Sequence, residues 1–291
     1  MNTIFVNIAG TAHPVKVTVK GATATTAIVN AGGGSVTSLS APGGATLLWS
    51  EDFNEPAGTF PANWIADISG ENQNAQANLA ANAYQDGLGH LVLAAKAGAC
   101  TDAQGRSFEF SGAQIFGCPA LTVPNPGFLE WYAEMPMVQG VWPTLWTMGV
   151  PVTAWPACGE TDVAEIQTAA SMKEVYSTLH FPGPAGAAQY GGGALGASRT
   201  SYRPGWHKWG CFWNGSSVEM YLDEVLFWTA TETDVVAAGG TWKLDKPQCP
   251  FLSIYVDGPA AGNPASSTPW PVLMTIDWVR CYTAVPYTTT T

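Results

Sequence analysis

The 291-residue sequence is poor in charged side chains and poorest in basic ones. Only 11% of its residues are charged, and 11 Lys and Arg stand against 22 Asp and Glu, so the formal net charge is -11 at pH 7. A protein of that charge repels phosphate backbones and anionic lipid. We therefore expect no nucleic-acid partner and no attachment to an anionic membrane surface.

The sequence also lacks a recognisable export signal or membrane span. The first ten residues contain no basic region, so a signal peptide is not expected at this start. Residues 135–159 carry no charged side chain and are long enough to cross a bilayer. Four prolines interrupt this stretch, at Pro136, Pro143, Pro151 and Pro156, and each would remove a helical hydrogen bond. We therefore reject a span.

The cysteines show no metal-site spacing, because no CxxC pair and no Cys/His ligand pattern is present. The six are Cys100, Cys118, Cys158, Cys211, Cys249 and Cys281. Three disulfides and six buried thiols fit the sequence about equally well.

Turn-forming residues are plentiful, with 32 Gly and 21 Pro, and no long stretch keeps a capped helical period. Short β-rich runs recur between the turn signals. They are LVLAA at 91, FLEWYAEM at 128, VEMYLDEVLFW at 218, FLSIYV at 251 and VLMTIDWVRCY at 272. This spacing predicts an all-β chain, an antiparallel sandwich or barrel.

The first 45 residues differ in composition from the rest. HPVKVTVK at 13 alternates like a half-buried strand, and AGGGSVTSLSAPGGA at 31 is typical of a flexible connector. We predict a small β-rich segment and linker over 1–45, a main domain over 46–285 and a frayed Thr-rich tail over 286–291. The alternative is that residues 1–45 belong to the main sheet.

Three acidic residues, Glu160, Asp162 and Glu165, lie close together in CGETDVAEIQ. Side chains alternate along a strand, so Glu165 would face away from the other two. A one-residue bulge between Asp162 and Glu165 would bring all three to one face. The glutamate carboxyls would then lie about 5 to 7 Å apart, near the spacing of a retaining glycosidase. The alternative is a solvent-facing strand with ordinary charges.

Two features favour the catalytic interpretation: the repulsion between the neighbouring carboxylates and the aromatic residues close to them in the sequence. Adjacent carboxylates resist ionising together, so Asp162 would favour a shared proton, and the negative field would raise the proton affinity of Glu165. Trp142, Trp146 and Trp155 stand just upstream and could stack on a sugar ring. For each tryptophan, packing in the core is the alternative role.

GETDVAE resembles the E-x-D-x-x-E signature of glycoside hydrolase family 16, in the bulged form of laminarinases, agarases and carrageenases. The resemblance covers about residues 47–283 and extends to further segments in family order. These are WSEDFN at 49, DGLGHLVLAA at 86, SGAQIFG at 111, GFLEWYAEMPMVQGVWPTLWTMG at 127, STLHF at 177, GWHKWGCFW at 205, YLDEVLFW at 221 and IDWVRCY at 276.

The resemblance implies a concanavalin A-like β-jelly-roll sandwich with a carbohydrate cleft on its concave face. It implies that Glu160 is the nucleophile, Asp162 its supporting carboxylate and Glu165 the general acid/base. Trp142 and Trp146 match aromatic positions of the cleft, and His180 matches a histidine near it. A structural role is the alternative for His180.

Some positions depart from the family pattern. Glucan-cleaving members usually have arginines where this sequence has Phe128 and Tyr132, and an early N-x-E-x-Q pattern keeps Gln76 without its acid. Ser253 and Asp257 replace a cleft asparagine and a glycine. We still expect Gln76 and Tyr132 to bind substrate, but laminarin itself becomes doubtful as the substrate.

The resemblance also implies that catalysis needs no cofactor, whereas a structural calcium could bind on the convex side. Asp277 matches the aspartate that holds this ion in many members, with backbone carbonyls completing an oxygen shell. Pairing of Asp277 with Arg280, or simple solvation, is the alternative.

The sequence predicts an endo-acting retaining glycoside hydrolase for a β-linked polysaccharide of the β-1,3-glucan or β-galactan type. We expect a monomer that is extracellular or virion-associated. One alternative is a lectin-like sandwich that binds sugar without cleaving it. Another is a glycan-engaging virion protein with residues 1–45 as its attachment module.

Overall fold

The computed structural model describes residues 4–8, 11–15, 44–68, 76–168, 174–183, 192–199 and 203–287, and β-strands form nearly all of its regular structure. The strands are β1 (Ile4–Ile8), β2 (Thr11–Val15), β3 (Leu47–Glu51), β4 (Ile65–Ala66), β5 (Gln76–Asn78), β6 (Ala83–Gln85), β7 (Leu91–Thr101), β8 (Ser107–Phe116), β9 (Gly127–Glu134), β10 (Val141–Gly149), β11 (Glu160–Glu165), β12 (Val175–Pro182), β13 (Gly192–Arg199), β14 (Trp206–Trp213), β15 (Ser217–Leu222), β16 (Val225–Thr231), β17 (Gln248–Val256) and β18 (Val272–Tyr282). The helices are α1 (Glu232–Ala237) and α2 (Gly258–Ala261), with a 3-10 turn at Ala80–Asn82.

The main sheet folds into two layers, which we call the first and second layers. The first has the strand order β13-β12-β11-β10-β17-β8, and the second has the order β7-β18-β9-β14-β15-β16. Pairing of β7 with β8 joins them. The described pairs are antiparallel except for β5 with β8. The predicted antiparallel β-sandwich is confirmed.

Alternation along the strands sorts side chains between the core and the outer faces. In β12 the burial pattern alternates strictly, with Leu179 fully buried and His180 partly exposed. One continuous hydrophobic core joins the layers and includes Leu145 and Leu252 from the first, and Trp131 and Trp213 from the second. The first layer therefore has a core face and an opposite outer face. We call the outer one the carboxylate face, because Glu160, Asp162 and Glu165 lie on it.

The predicted run VEMYLDEVLFW forms two strands instead of one. Asp223 and Glu224 between β15 and β16 have positive φ angles of 50° and 70°, the backbone of a tight hairpin turn that matches strand twist. Neither residue is glycine, so the sequence contains no strong signal for this turn.

Residues 135–159, where the prolines argue against a membrane-spanning helix, contain strand β10 at Val141–Gly149. Within the described part of the chain, no helix has the length and apolar character to cross a membrane.

The cysteines follow neither sequence alternative. Cys118 and Cys249 form a disulfide, whereas Cys100, Cys158, Cys211 and Cys281 are free thiols. Cys249 is the second residue of β17, and Cys118 lies two residues after the end of β8, the neighbour of β17 in the sheet. Strand pairing thus brings together two residues that are 131 positions apart.

At the N-terminus, β1 and β2 pair with each other as a separate two-stranded sheet. The predicted strand at 13–20 shares residues 13–15 with β2, which ends at Val15. Its remainder, the predicted connector up to residue 43 and the end of the Thr-rich tail lie outside the described residues.

Candidate active site

A bulge in β11 brings the three acidic side chains to one face. Glu160 pairs with His180 on β12 and Glu165 pairs with Tyr176, and the register shifts by one residue between Asp162 and Glu165. The predicted bulge is thus confirmed. Glu160 and Glu165 are five residues apart on β11, but their partners His180 and Tyr176 are four residues apart on β12. His180 and Tyr176 therefore lie on the same face of β12, and both glutamates lie on the carboxylate face with them.

The backbone just before Glu160 requires a glycine. Gly159 has a positive φ of 77°, a conformation that side chains with a Cβ rarely adopt. A Cβ at this position would also lie 2.7 Å from the carbonyl oxygen of Lys243. The CGE sequence therefore fixes the direction in which the chain enters β11.

Polar side chains on β12 contact the acids from the neighbouring strand. His180 Nε2 lies 3.1 Å from Asp162 Oδ2, and the Thr178 hydroxyl donates to Glu165 Oε2 at 3.2 Å. Glu160 and Asp162 also hydrogen bond to each other. Asp162 and Glu165 are buried, whereas Glu160 is partly exposed.

Burial raises the pKa of all three carboxyls. The negative charge of Asp162 adds to the effect of burial on the pKa of Glu160, and the charge of Glu165 adds to it for Asp162. Burial also raises the pKa of Glu165, with partial offset by Gln167 and His180. Burial thus contributes more than the negative field predicted from the sequence. The site retains protons where exposed carboxyls are ionised.

Aromatic side chains line the carboxylate face on both sides of this cluster. Trp146 stacks on Phe251 with 4.3 Å between ring centroids, and its indole N–H donates to Ser253. The Trp142 ring lies 5.2 Å from that of Tyr255. Trp142 is partly exposed and Trp146 is 8% exposed, so Trp142 offers the larger apolar surface to a sugar ring.

Trp155 precedes β11, and its ring lies 5.7 Å from that of His180. The structure therefore brings the three predicted tryptophans and His180 to the surroundings of the acids.

Comparison with known proteins agrees with this arrangement. The model of the family described as Glycosyl hydrolases family 16 matches residues 126–280, more than half of the chain. The chain belongs to glycosyl hydrolase family 16.

Relatives of this family 16 chain carry different activity names. A protein from Sphingobacterium multivorum named keratan-sulfate endo-1,4-beta-galactosidase is 29% identical over 245 residues, 81% of this chain and 54% of that protein. A protein from Rhodothermus marinus named beta-glucanase is 24% identical over 250 residues, 81% of this chain and 84% of that protein. This family 16 chain thus spans about half the length of the first relative.

The X-ray structure of endo-beta-1,3-glucanase from Pyrococcus furiosus is similar with a TM-score of 0.72 at 25% identity. The match covers 83% of this chain and 95% of that one. The predicted family 16 β-jelly-roll is confirmed.

Two predicted substrate-binding residues of the family 16 chain do not reach the acids. Tyr132 lies on β9 in the second layer, where its ring contacts Trp206 and Trp278. Gln76 is buried, and its amide bonds to Asn78 and to the backbone of β17. Their role in binding substrate therefore stays a prediction, because a segment resemblance does not show which layer or face a residue occupies.

Other residues of the face were not predicted. The Tyr255 hydroxyl donates to Gln114 Oε1, and the Gln114 amide donates to Asp67 at 2.6 Å. Thr178 contacts Glu165, as described above. Alternation in STLHF could have placed Thr178 beside His180, but no sequence signal joins Asp67 to β8 and β17.

The side chains do not form a convincing metal centre. Among the described residues, Glu160, Asp162 and His180 are the one trio with ligand atoms within 4.8 Å of one another. Their mutual hydrogen bonds account for this proximity, so we assign no metal to them. Around Asp277, His90 and Arg280 contribute positive potential, which opposes a cation, and Asp52 contributes negative potential. A calcium there would depend on backbone carbonyls.

Proposed function

We propose that the chain is an endo-acting retaining glycoside hydrolase that cleaves a β-linked polysaccharide of the β-1,3-glucan or β-galactan type. One observation carries the proposal. The bulge places Glu160, Asp162 and Glu165 on one face of β11, beside tryptophan surfaces on which sugar rings can stack. A binding module needs the aromatic surfaces but not three acids in register on one face.

In the proposed reaction, Glu160 attacks the anomeric carbon as Glu165 gives its proton to the leaving glycosidic oxygen. The glycosidic bond breaks and a glycosyl ester to Glu160 forms. Glu165, now ionised, takes a proton from water, and that water breaks the ester and releases Glu160 as a carboxylate. Two displacements at one carbon retain its configuration. No cofactor takes part.

Asp162 would keep Glu160 ready for attack. The hydrogen bond between their carboxyls lets the pair hold one proton, and the attacking state is the one with that proton on Asp162. His180, which contacts the other side of Asp162, would hold this carboxyl in place. We therefore propose Asp162 as the supporting acid and His180 as a positioning residue.

The substrate is proposed only as a class. The two relatives are named for a galactosidase and a glucanase, and their names do not agree on the sugar. The net charge of -11 disfavours a heavily sulfated chain, because long-range repulsion would slow its capture.

A substrate screen followed by stereochemistry tests the proposal. Purified protein would be incubated with laminarin, mixed-linkage β-glucan, agar, carrageenan, arabinogalactan and keratan sulfate, and new reducing ends measured. Proton NMR of the first product from a cleaved substrate should show the retained anomer. An inverted anomer would exclude double displacement, and binding without cleavage would indicate a lectin-like protein.

We further propose that residues 1–45 form a unit separate from the catalytic sandwich of 46–285. This is supported by β1 and β2, which pair with each other and with no described strand of the main sheet. Limited proteolysis should cut before residue 46 and leave an active fragment. Loss of activity or solubility on removal would mean that the segment completes the fold.

Location and assembly are proposed from the same reaction. A polysaccharide-cleaving enzyme meets its substrate outside cells or at a particle surface, so we propose an extracellular or virion-associated monomer. Size-exclusion chromatography with light scattering, and copurification with particles, would test these two statements.

A further inference from the structure

Thr144 places an unpaired hydroxyl in the middle of the carboxylate face. On β10 it lies directly opposite Glu165 of β11 on one side and Ser253 of β17 on the other. The residue is only 3% exposed. Its hydroxyl oxygen is inaccessible to solvent and has no hydrogen-bond partner among the described residues.

Folding alone does not explain this hydroxyl. A buried polar group without a partner loses its hydrogen bonds to water and gains none in return, and valine has nearly the same shape. Several neighbouring polar groups are engaged, since Trp146 donates to Ser253, Thr178 to Glu165 and Tyr255 to Gln114. Among the described residues of β10, the Thr144 hydroxyl and the indole N–H of Trp142 are the buried polar groups of this face that lack a hydrogen bond.

Two acceptors lie opposite Thr144 in the sheet register, the Glu165 carboxyl and the Ser253 hydroxyl. Ser253 already accepts a hydrogen bond from Trp146, so Glu165 is the acceptor with free capacity. Directly opposed residues of antiparallel strands have Cβ atoms about 4.5 to 5.5 Å apart, so a small side-chain rotation joins the two groups. A protonated carboxyl uses one oxygen as a donor, whereas an ionised one accepts at about four positions. Glu165 can therefore accept an additional donor, beside Gln167 and Thr178, when it loses its proton.

We propose that Thr144 is a positioning residue for Glu165, and that its hydroxyl donates to the Glu165 carboxylate whenever that group is ionised. The inference rests on the proposed function, in which Glu165 alternates between acid and base. Gln167 and Thr178 would donate to the carboxyl in both states, and Thr144 would add its hydrogen bond only in the ionised state. The carboxylate is then aligned for the water that completes the cycle.

Other titratable groups around Glu165 must be separated from this effect. Glu160 and Asp162 lie on its own strand, His180 and Tyr176 on β12, and Tyr255 on β17. β10 contributes no titratable side chain to this face among the described residues. Because Thr144 is neutral, its replacement by valine leaves every charge in place.

The decisive measurement is a titration of Glu165 that needs no substrate. In protein labelled with ¹³C at glutamate side chains, the Glu165 carboxyl signal, assigned with Glu165→Gln, would be followed against pH. Since a hydrogen bond to the ionised form lowers a pKa, Thr144→Val should raise the Glu165 pKa by about half a unit to one unit. Thr144→Ser keeps the hydroxyl and should retain the wild-type titration.

A matched control lies on the same strand. Thr147 is buried on the core face, and its hydroxyl donates to Gln248. Thr147→Val should lower the melting temperature and leave the Glu165 titration unchanged. Thr144→Val should keep or raise the melting temperature, because it removes an unpaired group. Stability and titration should therefore respond in opposite ways in the two variants.

Activity supplies an independent measurement. With laminarin or keratan sulfate, whichever the wild type cleaves, Thr144→Val should lower kcat about 3- to 30-fold through the lost hydrogen bond. The alkaline limb of kcat/KM should move to higher pH. An unchanged Glu165 titration in Thr144→Val would overturn the inference whatever the activity. A shifted titration in a protein that cleaves no polysaccharide would support the contact and reject the proposed function.

Discussion

His180 Nε2 lies 3.1 Å from Asp162 Oδ2, and the same Asp162 carboxyl hydrogen bonds to Glu160. Asp162 is therefore bound from its own strand and from the neighbouring one. A carboxyl held in this way cannot swing towards a sugar. Its role in the proposed reaction is to position a proton beside the attacking oxygen.

Replacing Asp162 by asparagine tests that role. The amide would keep the shape of the side chain but could not accept the shared proton, so kcat should fall about 10- to 100-fold. The loss should be smaller than in Glu160→Gln, which removes the attacking oxygen. Initial rates on one cleaved polysaccharide decide the order, and an Asp162→Asn loss as large as that of Glu160→Gln would contradict it.

The leaving group of the substrate should distinguish the roles of Glu160 and Glu165. Either Glu→Gln change should lower turnover of a polysaccharide by about three orders of magnitude or more, about 4 kcal/mol. With an aryl glycoside whose phenol leaves without protonation, Glu165→Gln should still release phenol in a burst. Glu160→Gln should not. A burst in Glu160→Gln would exchange the assigned roles.

Aromatic residues of the two layers offer a matched pair for substrate binding. Trp146 lies on the carboxylate face, whereas Tyr132 lies in the second layer. Trp146→Phe should raise KM about 10-fold through lost stacking area, with little change in kcat. Tyr132→Phe should leave both parameters at wild-type values. A raised KM in Tyr132→Phe would indicate that Tyr132 contacts the substrate.

Stability should fall between mildly acidic and neutral pH because of a buried glutamate. Burial raises the pKa of Glu130 from 4.5 to about 7. The folded protein thus holds this proton more tightly than the unfolded chain does. Its stabilising contribution is complete below pH 4.5 and is lost as pH rises to about 7, a change of about 3 kcal/mol.

Urea unfolding of Glu130→Gln at several pH values tests this linkage. The variant should lose part of the pH slope between 4.5 and 7, while Glu109→Gln, a change at an exposed position, should retain all of it. Equal slopes in wild type and Glu130→Gln would show that Glu130 does not titrate in this range.

Calcium can be tested at Asp277. If the ion binds the folded state, a chelator and Asp277→Asn should lower the melting temperature by similar amounts. The chelator should then have no effect on Asp277→Asn. The positive potential from His90 and Arg280 around Asp277 would weaken the binding of the ion. An unchanged melting temperature with chelator would remove the metal.

The β11 site was predictable because its information is local. Alternation, the spacing of Glu160, Asp162 and Glu165, and the need for one bulge all lie within six residues. The positions of Tyr132 and Gln76 could not be predicted in the same way, because they depend on which strands pair and in which layer. The same limit applies to the Cys118–Cys249 disulfide, which depends on the pairing of β8 with β17.

The bulge has a consequence for insertions and deletions in this strand. In most strands the loss of one residue turns every later side chain to the opposite face. Val163 is the extra residue relative to β10, because Asp162 pairs with Trp146 and Ala164 with Leu145. Its deletion would leave a regular strand, with the second glutamate still opposite Thr144 and Tyr176. At this position the polypeptide can shorten by one residue without disassembling its reactive trio, whereas the same deletion in β10 would turn Trp142 and Trp146 to opposite sides.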